Sequence, residues 1–316
     1  MKCLLCDKEV KTIIAKKLRG GEERNVYYCE MCGLGILDNE ETESGLKDFY
    51  SEAYRKKHTP SIKKDSSPED LFNVYSKFQS ERINLIKGYL DKKSKLLEIG
   101  CSAGMFLFHV RDYVAEVFGI DYDLKSAEFA SKICECKVFT DNIEKTDLNE
   151  GTFDVICLFQ ILEHIKNPIE FIKKIKKYLK PNGVLYIEVP NLHDALIFAY
   201  DLPNHYDNFY FHPAHLWYFT DKSLEILMEK LGFEGKVFFT QDYNILNHMS
   251  WINTDTPQPS CIPGLSSPFL PLRKSLGAEK IKEMNYFIQD VDVNYKKLLV
   301  KLGMTSNVSF IGKNKQ

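Results

Sequence analysis

Four of the nine cysteines stand in two pairs, Cys3-x-x-Cys6 and Cys29-x-x-Cys32, about twenty residues apart. Each pair offers two thiolates at the reach a tetrahedral Zn²⁺ needs, and Gly33 follows the second pair, where a tight knuckle turn favours a residue without a Cβ. Four thiolates close the coordination shell, so the expected ion is structural and not catalytic. A second candidate is Leu96-Leu97-Glu98-Ile99-Gly100-Cys101-Ser102-Ala103-Gly104, a buried strand running into a glycine-containing turn and then a helix. Such a turn lets backbone approach a ligand at the carboxyl end of the strand, beside a helix N-terminus. The next strand ends Gly119-Ile120-Asp121, where a carboxylate can accept hydrogen bonds from both hydroxyls of a ribose. A third group, Tyr206, Asp207, Tyr210, His212 and His215, crowds into ten residues of one loop and supplies candidate general bases.

The elements that must position these groups read as four segments. Residues 1–40 form a small zinc ribbon with β-rich pieces at 12–15 and 26–28; alone they cannot bury enough apolar surface, so the metal must supply much of the folding free energy. Residues 41–90 are a helical linker or lid, with Leu46, Phe49, Tyr50 and Tyr54 at helical spacing, a soft stretch at 59–69 and an amphipathic segment at 71–90. Residues 91–240 alternate short apolar runs with helical periods, as βαβ units around a parallel sheet do. Strands are expected at 96–99, 117–120, 138–140, 155–159 and 184–189, then at 236–240; helices are expected at 105–113, 168–180 and 222–231. In the 168–180 helix, Ile169, Ile172, Ile175 and Leu179 make one apolar stripe. Residues 241–316 comprise an irregular, proline-rich insertion to about 280, a helix at 279–302 and a last strand at 308–312 that completes the sheet. The expected class is therefore α/β with an N-terminal ribbon and a C-terminal extension.

Together these residues resemble class I S-adenosylmethionine-dependent methyltransferases, whose Rossmann-like sheet the resemblance implies over residues 90–313. The acid and glycine turn from Glu98 to Gly104, Asp121 at the end of the second strand and Asp141-Asn142 after the third carry it. So do Phe159-Gln160-Ile161-Leu162-Glu163-His164 after the fourth strand and the Lys180-Pro181-Asn182-Gly183 turn before the fifth. Dinucleotide dehydrogenases want Gly-x-Gly-x-x-Gly, which Gly100-Cys101-Ser102-Ala103-Gly104 does not supply. The resemblance implies S-adenosylmethionine as cofactor, held by Glu98, Gly100, Cys101, Ser102, Gly104, Asp121, Tyr122, Asp141, Asn142, Phe159, Gln160 and His164. Ser102 stands where many members carry glycine. Cys101 itself reads as a small packing residue, with no His or Lys adjacent in sequence.

His215-Leu216-Trp217-Tyr218-Phe219-Thr220 is similar to a stretch of deoxysugar C-methyltransferases, which also begin with a cysteine-knuckle zinc module; in those enzymes a Tyr-His-x-His cluster precedes it. Here Tyr210-Phe211-His212-Pro213-Ala214-His215 is one residue longer between the histidines. The implied catalytic candidates are His215, His212, Tyr210 and His164. Asn247-His248-Met249-Ser250-Trp251 looks like a stretch of zinc-ribbon methyltransferases associated with surface-polysaccharide synthesis; it is either an acceptor wall that stacks on a sugar or base, or a lid packed on the sheet.

Composition narrows the partners. With 44% hydrophobic and 27% charged residues and a net charge of −2, the chain lacks the basic excess of a general nucleic-acid binder. The ribbon is itself charge-balanced, and the lysine run of the 168–180 helix lies opposite its apolar stripe. No apolar run approaches the ~20 residues that span a bilayer, no signal-peptide h-region is visible, and the five other cysteines are scattered; a cytoplasmic protein is expected. The expected activity is methyl transfer, as O- or C-methylation, to a small sugar-like acceptor such as a nucleotide-linked sugar or surface-glycan precursor. The alternatives are an RNA-modifying methyltransferase docked through its ribbon and a non-catalytic cofactor-binding scaffold.

Overall fold

The computed structural model describes residues 1–38 and 67–315. The helical spacing expected of Leu46, Phe49, Tyr50 and Tyr54, and most of the soft stretch at 59–69, lie outside the described residues. The chain begins with three short strands, β1 (Thr12–Lys17), β2 (Glu23–Tyr28) and β3 (Gly35–Leu37). After them come α1 (Pro68–Tyr75) and α2 (Ser80–Ile86), so the single amphipathic segment expected at 71–90 is two helices joined by a 3₁₀ turn. Ser67 caps α1 with a reciprocal Ser67–Asp70 box.

The α/β part runs β4 (Lys95–Ile99), α3 (Met105–Val110), β5 (Glu116–Ile120), α4 (Leu124–Cys134), β6 (Lys137–Phe139), β7 (Phe153–Phe159), α5 (Pro168–Lys176) and β8 (Leu179–Pro190). It continues with β9 (Trp217–Tyr218), α6 (Asp221–Lys230), β10 (Phe233–Thr240), α7 (Ile245–Thr254), α8 (Ala278–Leu302) and β11 (Asn307–Asn314). The large sheet has the order β10-β11-β8-β7-β4-β5-β6, parallel from β8 to β6, with β11 antiparallel to both β8 and β10. Strand order reverses at β4, which has β5 on one side and β7 on the other; the crevice beyond its carboxyl end is where open α/β sheets bind ligands.

Alternation along the strands builds a core on each face. Leu97, Ile99, Ile156, Leu158, Leu185 and Ile187 pack with Ile172 and Ile175 of α5 and Leu224, Leu227 and Met228 of α6. Leu96, Val117, Val155, Cys157 and Tyr186 pack with Ile83 and Ile86 of α2 and Phe106, Leu107 and Val110 of α3 on the other. Two sequence expectations are corrected. The helix expected to reach Lys180 ends at Lys176, because Leu179 pairs with Phe153 as the first residue of β8; Lys180-Pro181-Asn182-Gly183 then forms an irregularity before pairing resumes at Val155 and Val184, with Asn182 at φ 62°. The expected irregular insertion contains α7, capped by Asn244, so its prolines bracket a helix instead of preventing one.

The ribbon strands are completed from the far side of the chain. The second sheet has the order β1-β2-β3-β9, and β9 belongs to the loop after β8. Leu192, Phe211 and Tyr218 of that loop share a core with Ala15, Leu18, Val26 and Leu37. Leu37 N–H donates to Leu216 O at 3.0 Å and Arg19 N–H to Phe211 O at 2.6 Å.

Candidate functional site

The turn after β4 adopts a backbone that few residues accept: Gly100, Ser102 and Gly104 have φ of 79°, 47° and 81°. The positive φ of Gly100 favours glycine, and a Cβ there would also displace the outer end of the Ile161 side chain. Ser102 takes a left-handed conformation usually given to glycine, and its N–H donates to Asp121 Oδ2 at 2.7 Å. Asp121 Oδ1 accepts from Asp123 N–H at 2.9 Å. The carboxylate thus fastens the loop at the strand end where the crevice opens. A glycine turn, an acid at the next strand end and a crevice at the switch point fit a nucleoside-bearing cofactor.

Around this turn the other expected cofactor residues have different surroundings. Cys101 is buried and its thiol pushed well up by desolvation, as a packing residue's would be. Tyr122 is 49% exposed beside the crevice. Asp141 is exposed, with Lys145 Nζ at 3.5 Å, and Asn142 caps a 3₁₀ turn through Glu144 N–H. Phe159 packs edge-on to Phe106 and Tyr186 with the Arg82 guanidinium 4.4 Å from its ring centre. Gln160, at φ 58°, donates its amide to Glu188 Oε1 at 3.3 Å and Asn307 Oδ1 at 3.1 Å.

Glu98 is buried at the end of β4, and desolvation, partly offset by Arg82, pushes its carboxyl up to about 8. Between its ordinary value and 8, the folded chain holds a proton that the unfolded chain has released, so this group's stabilisation is lost as pH rises. His164, His205 and His248 are lowered by desolvation to about 4 and slope the other way, but only below their ordinary 6.5. Between pH 6.5 and 8 the melting temperature of the cofactor-free protein should therefore fall, and Glu98→Gln should flatten that fall; equal slopes would contradict the assignment. Glu163, also pushed up to about 8, keeps part of the slope in the variant.

Beside the glycine turn opens a cavity of about 380 Å³ lined by Arg82, Met105, Glu188, Asp242, Tyr243 and Lys296 among others. Arg82 donates through Nη2 and Nε to Glu188 Oε1 at 2.5 and 3.1 Å. These polar residues were missed from sequence. Glu188 left a signal, since an acid near the carboxyl end of an otherwise apolar strand needs a reason; Arg82, on an ordinary amphipathic helix, left none.

The loop histidines gather against the turn that follows β7. His164 Nδ1 donates to Ala214 O at 2.9 Å, and its ring centre lies 4.8 Å from that of His215. His215 in turn lies 5.0 Å from His212. Leu216 N–H to Glu163 O at 2.8 Å and Trp217 Nε1–H to Ile165 O at 2.8 Å clamp the two segments together. His212 is buried and its Nδ1 accepts from Ala214 N–H at 3.1 Å. Tyr210 stands apart: its hydroxyl donates to Asn191 O at 2.8 Å, and burial raises its pKa well above the usual phenol value. His248 is held between Tyr295 OH at 2.7 Å and Gln241 Nε2 at 3.1 Å, and Trp251 packs against His205 and Phe209. The α7 motif is therefore a packed element and not a sugar-stacking wall.

The four ribbon sulfurs all lie within 4.8 Å of one another, with Cys3 to Cys32 and Cys6 to Cys29 both at 3.4 Å. A tetrahedral ion with Zn–S bonds of ~2.3 Å needs sulfurs about 3.8 Å apart, so the thiolates fit Zn²⁺.

A seven-stranded sheet with a reversed last strand, a glycine turn at its switch point and an acid on the neighbouring strand define a Rossmann-like class I methyltransferase. Residues 71–236 match the methyltransferase domain family, and the chain belongs to it. Its activity class is S-adenosylmethionine-dependent methyl transfer. The chain is 28% identical over 185 residues to a ubiquinone biosynthesis O-methyltransferase of Histophilus somni, covering 52% of this chain and 74% of that one. It is 27% identical over 237 residues to a tRNA U34 carboxymethyltransferase of Campylobacter jejuni, covering 70% and 78%. Several other relatives are matched over less than half of their length, 38% and 46% in two cases. A solved S-adenosylmethionine-dependent methyltransferase from Archaeoglobus fulgidus shares the fold at 20% identity and TM-score 0.50, over 78% of this chain and 97% of that one. Among the described residues, no helix is long and apolar enough to cross a membrane.

Proposed function

We propose that this cytoplasmic enzyme transfers the sulfonium methyl of S-adenosylmethionine to an oxygen or carbon of a small sugar-like acceptor, a nucleotide-linked sugar or surface-glycan precursor. The observation that carries this reading is the cavity beside the glycine turn, where Arg82, Glu188, Asp242 and Lys296 offer a polyhydroxylated molecule both donors and acceptors. The lysines of α5 give little to a phosphate backbone: Lys173 pairs with Glu170, Lys174 with Glu144, and Lys176 donates to Leu231 O. In the reaction the acceptor's electron pair attacks the methyl carbon, the carbon–sulfur bond breaks with its pair going to sulfur, and the acceptor proton leaves. The methyl is already activated, so most of the work is orientation of two ligands, worth up to about 7–11 kcal/mol. Proton removal adds roughly 10²- to 10⁴-fold.

His215 acts on the acceptor side in this reading: it lies on the loop that β9 ties to the ribbon and packs against His164 of the turn after β7. His215→Ala should lower kcat by about 10²-fold or more while leaving cofactor affinity nearly intact by calorimetry. Equal turnover would move the acceptor chemistry away from this loop. The second reading, RNA modification, is favoured by the likeness to the tRNA carboxymethyltransferase. One experiment separates them: methyl-labelled S-adenosylmethionine is incubated with the protein and either a nucleotide-sugar-rich extract or total RNA, and the label is sized. Label in small molecules supports the sugar reading. Label in RNA overturns it and makes the ribbon a docking module.

A further inference from the structure

Glu163 is 1% exposed, and neither of its carboxylate oxygens accepts a hydrogen bond. Desolvation makes such a group keep its proton, and a bound cation is what would let it ionise in place. A basic nitrogen stands close by, His164 Nε2 at 3.7 Å from Oε1. Because His164 Nδ1 donates to Ala214 O, the tautomer turns the Nε2 lone pair toward Glu163. One ligand atom each from Glu163, His164 and His215 comes within 4.8 Å of the others. Three backbone-anchored bonds, from His164 Nδ1, Leu216 N and Trp217 Nε1, hold the two segments in register. A ring nitrogen oriented by a carbonyl is the usual support of a metal-binding histidine.

We propose that Glu163, His164 and His215 form a second metal site, separate from the cysteine cluster, that takes a divalent ion such as Zn²⁺ or Mn²⁺. Two imidazoles and one carboxylate suit these ions, and three protein ligands leave coordination positions open. His164 and His215 are only partly buried, so those positions remain open to an incoming molecule. An acceptor hydroxyl bound there loses its proton to solvent more readily; its oxygen then attacks the methyl carbon, the carbon–sulfur bond breaks, and S-adenosylhomocysteine and the methyl ether result. That use of the ion rests on the methyl-transfer reading above. It makes His215 a ligand in place of a base.

The test reads binding and not turnover. Protein with its thiolate-bound zinc retained is titrated with Mn²⁺ and the free ion followed by electron paramagnetic resonance. One saturable Mn²⁺ per chain is expected, weakened roughly tenfold to hundredfold in both Glu163→Gln and His215→Ala, with ribbon zinc unchanged. Absence of saturable binding, or equal binding in both variants, would overturn the site, and the second result would return His215 to the role of base. If either variant fails to fold, Co²⁺ added to the wild-type protein decides: weak nitrogen- and oxygen-type bands without thiolate charge transfer support the site, and thiolate bands alone refute it. Labelled acceptor formed by protein lacking the second ion would sink the ion's role in catalysis and leave the methyl-transfer reading standing.

Discussion

Asp121→Ala should weaken S-adenosylmethionine binding by roughly a hundredfold or more, measured by calorimetry on the folded protein. The estimate follows from the hydrogen bonds at stake: two ribose hydroxyls donating to a carboxylate, with bonds to charged groups worth about 1.5–3 kcal/mol. A second loss has the same origin, because Asp121 also accepts from Ser102 N–H at 2.7 Å and from Asp123 N–H at 2.9 Å. Without those bonds Ser102, at φ 47°, is free to leave its left-handed conformation, and the turn between Gly100 and Gly104 loses the shape that admits the cofactor. Asp121→Asn separates the contributions. The amide retains one acceptor oxygen for the loop but cannot serve both N–H groups and both hydroxyls, so its affinity should fall between wild type and the alanine variant. Unchanged affinity in Asp121→Ala would remove the ribose assignment and require the cofactor to lie elsewhere on the sheet.

What was legible in the sequence was local. The strands of the large sheet announce themselves as apolar runs, and the glycines around Cys101 announce a turn, because strand burial and left-handed backbone each restrict residue type at the position concerned. Pro168 after Asn167 marked the start of α5 for the same reason, whereas its end did not show. Leu179 continues the helical stripe in sequence, and only its pairing with Phe153 makes it a strand residue. Tertiary context likewise decides α7, whose flanking prolines hid a helix capped by Asn244. Nothing local could reveal that Trp217 and Tyr218 pair with Ile36 and Gly35, about 180 residues away in the chain. The site divides along the same line. The turn and Asp121 lie on consecutive βα units and could be read together. The meeting of Glu163 and His164 with His215, and of Arg82 with Glu188, depends on segments that only the folded sheet brings into contact.

Breaking the cysteine cluster that we propose holds zinc should sharply lower turnover while sparing the cofactor site. Replacing Cys29 or Cys32 by serine should lower zinc content by one ion per chain, and kcat should fall by about 10²-fold or more, with S-adenosylmethionine affinity little changed. The asymmetry comes from connectivity. Structural zinc contributes an apparent ~10–16 kcal/mol in small domains, and the knuckles at Cys3–Cys6 and Cys29–Cys32 flank β1, β2 and β3. Those strands carry β9 as their fourth member, and β9 begins two residues after His215. Tyr218 and Phe211 bury themselves in the ribbon core, and Lys230 donates to Leu5 O, so releasing the knuckles releases one wall of the acceptor loop. A displacement of about 1 Å at such a loop is enough for a hundredfold loss. Gly100, Asp121 and the β4–β5 pairing make none of these contacts and should keep their geometry. Loss of turnover and cofactor affinity together, with a cooperative drop in melting temperature, would show instead that the ribbon supports the whole sheet through its packing on α6. Full turnover in a zinc-free, folded variant would overturn the coupling altogether and reduce the ribbon to an appendage.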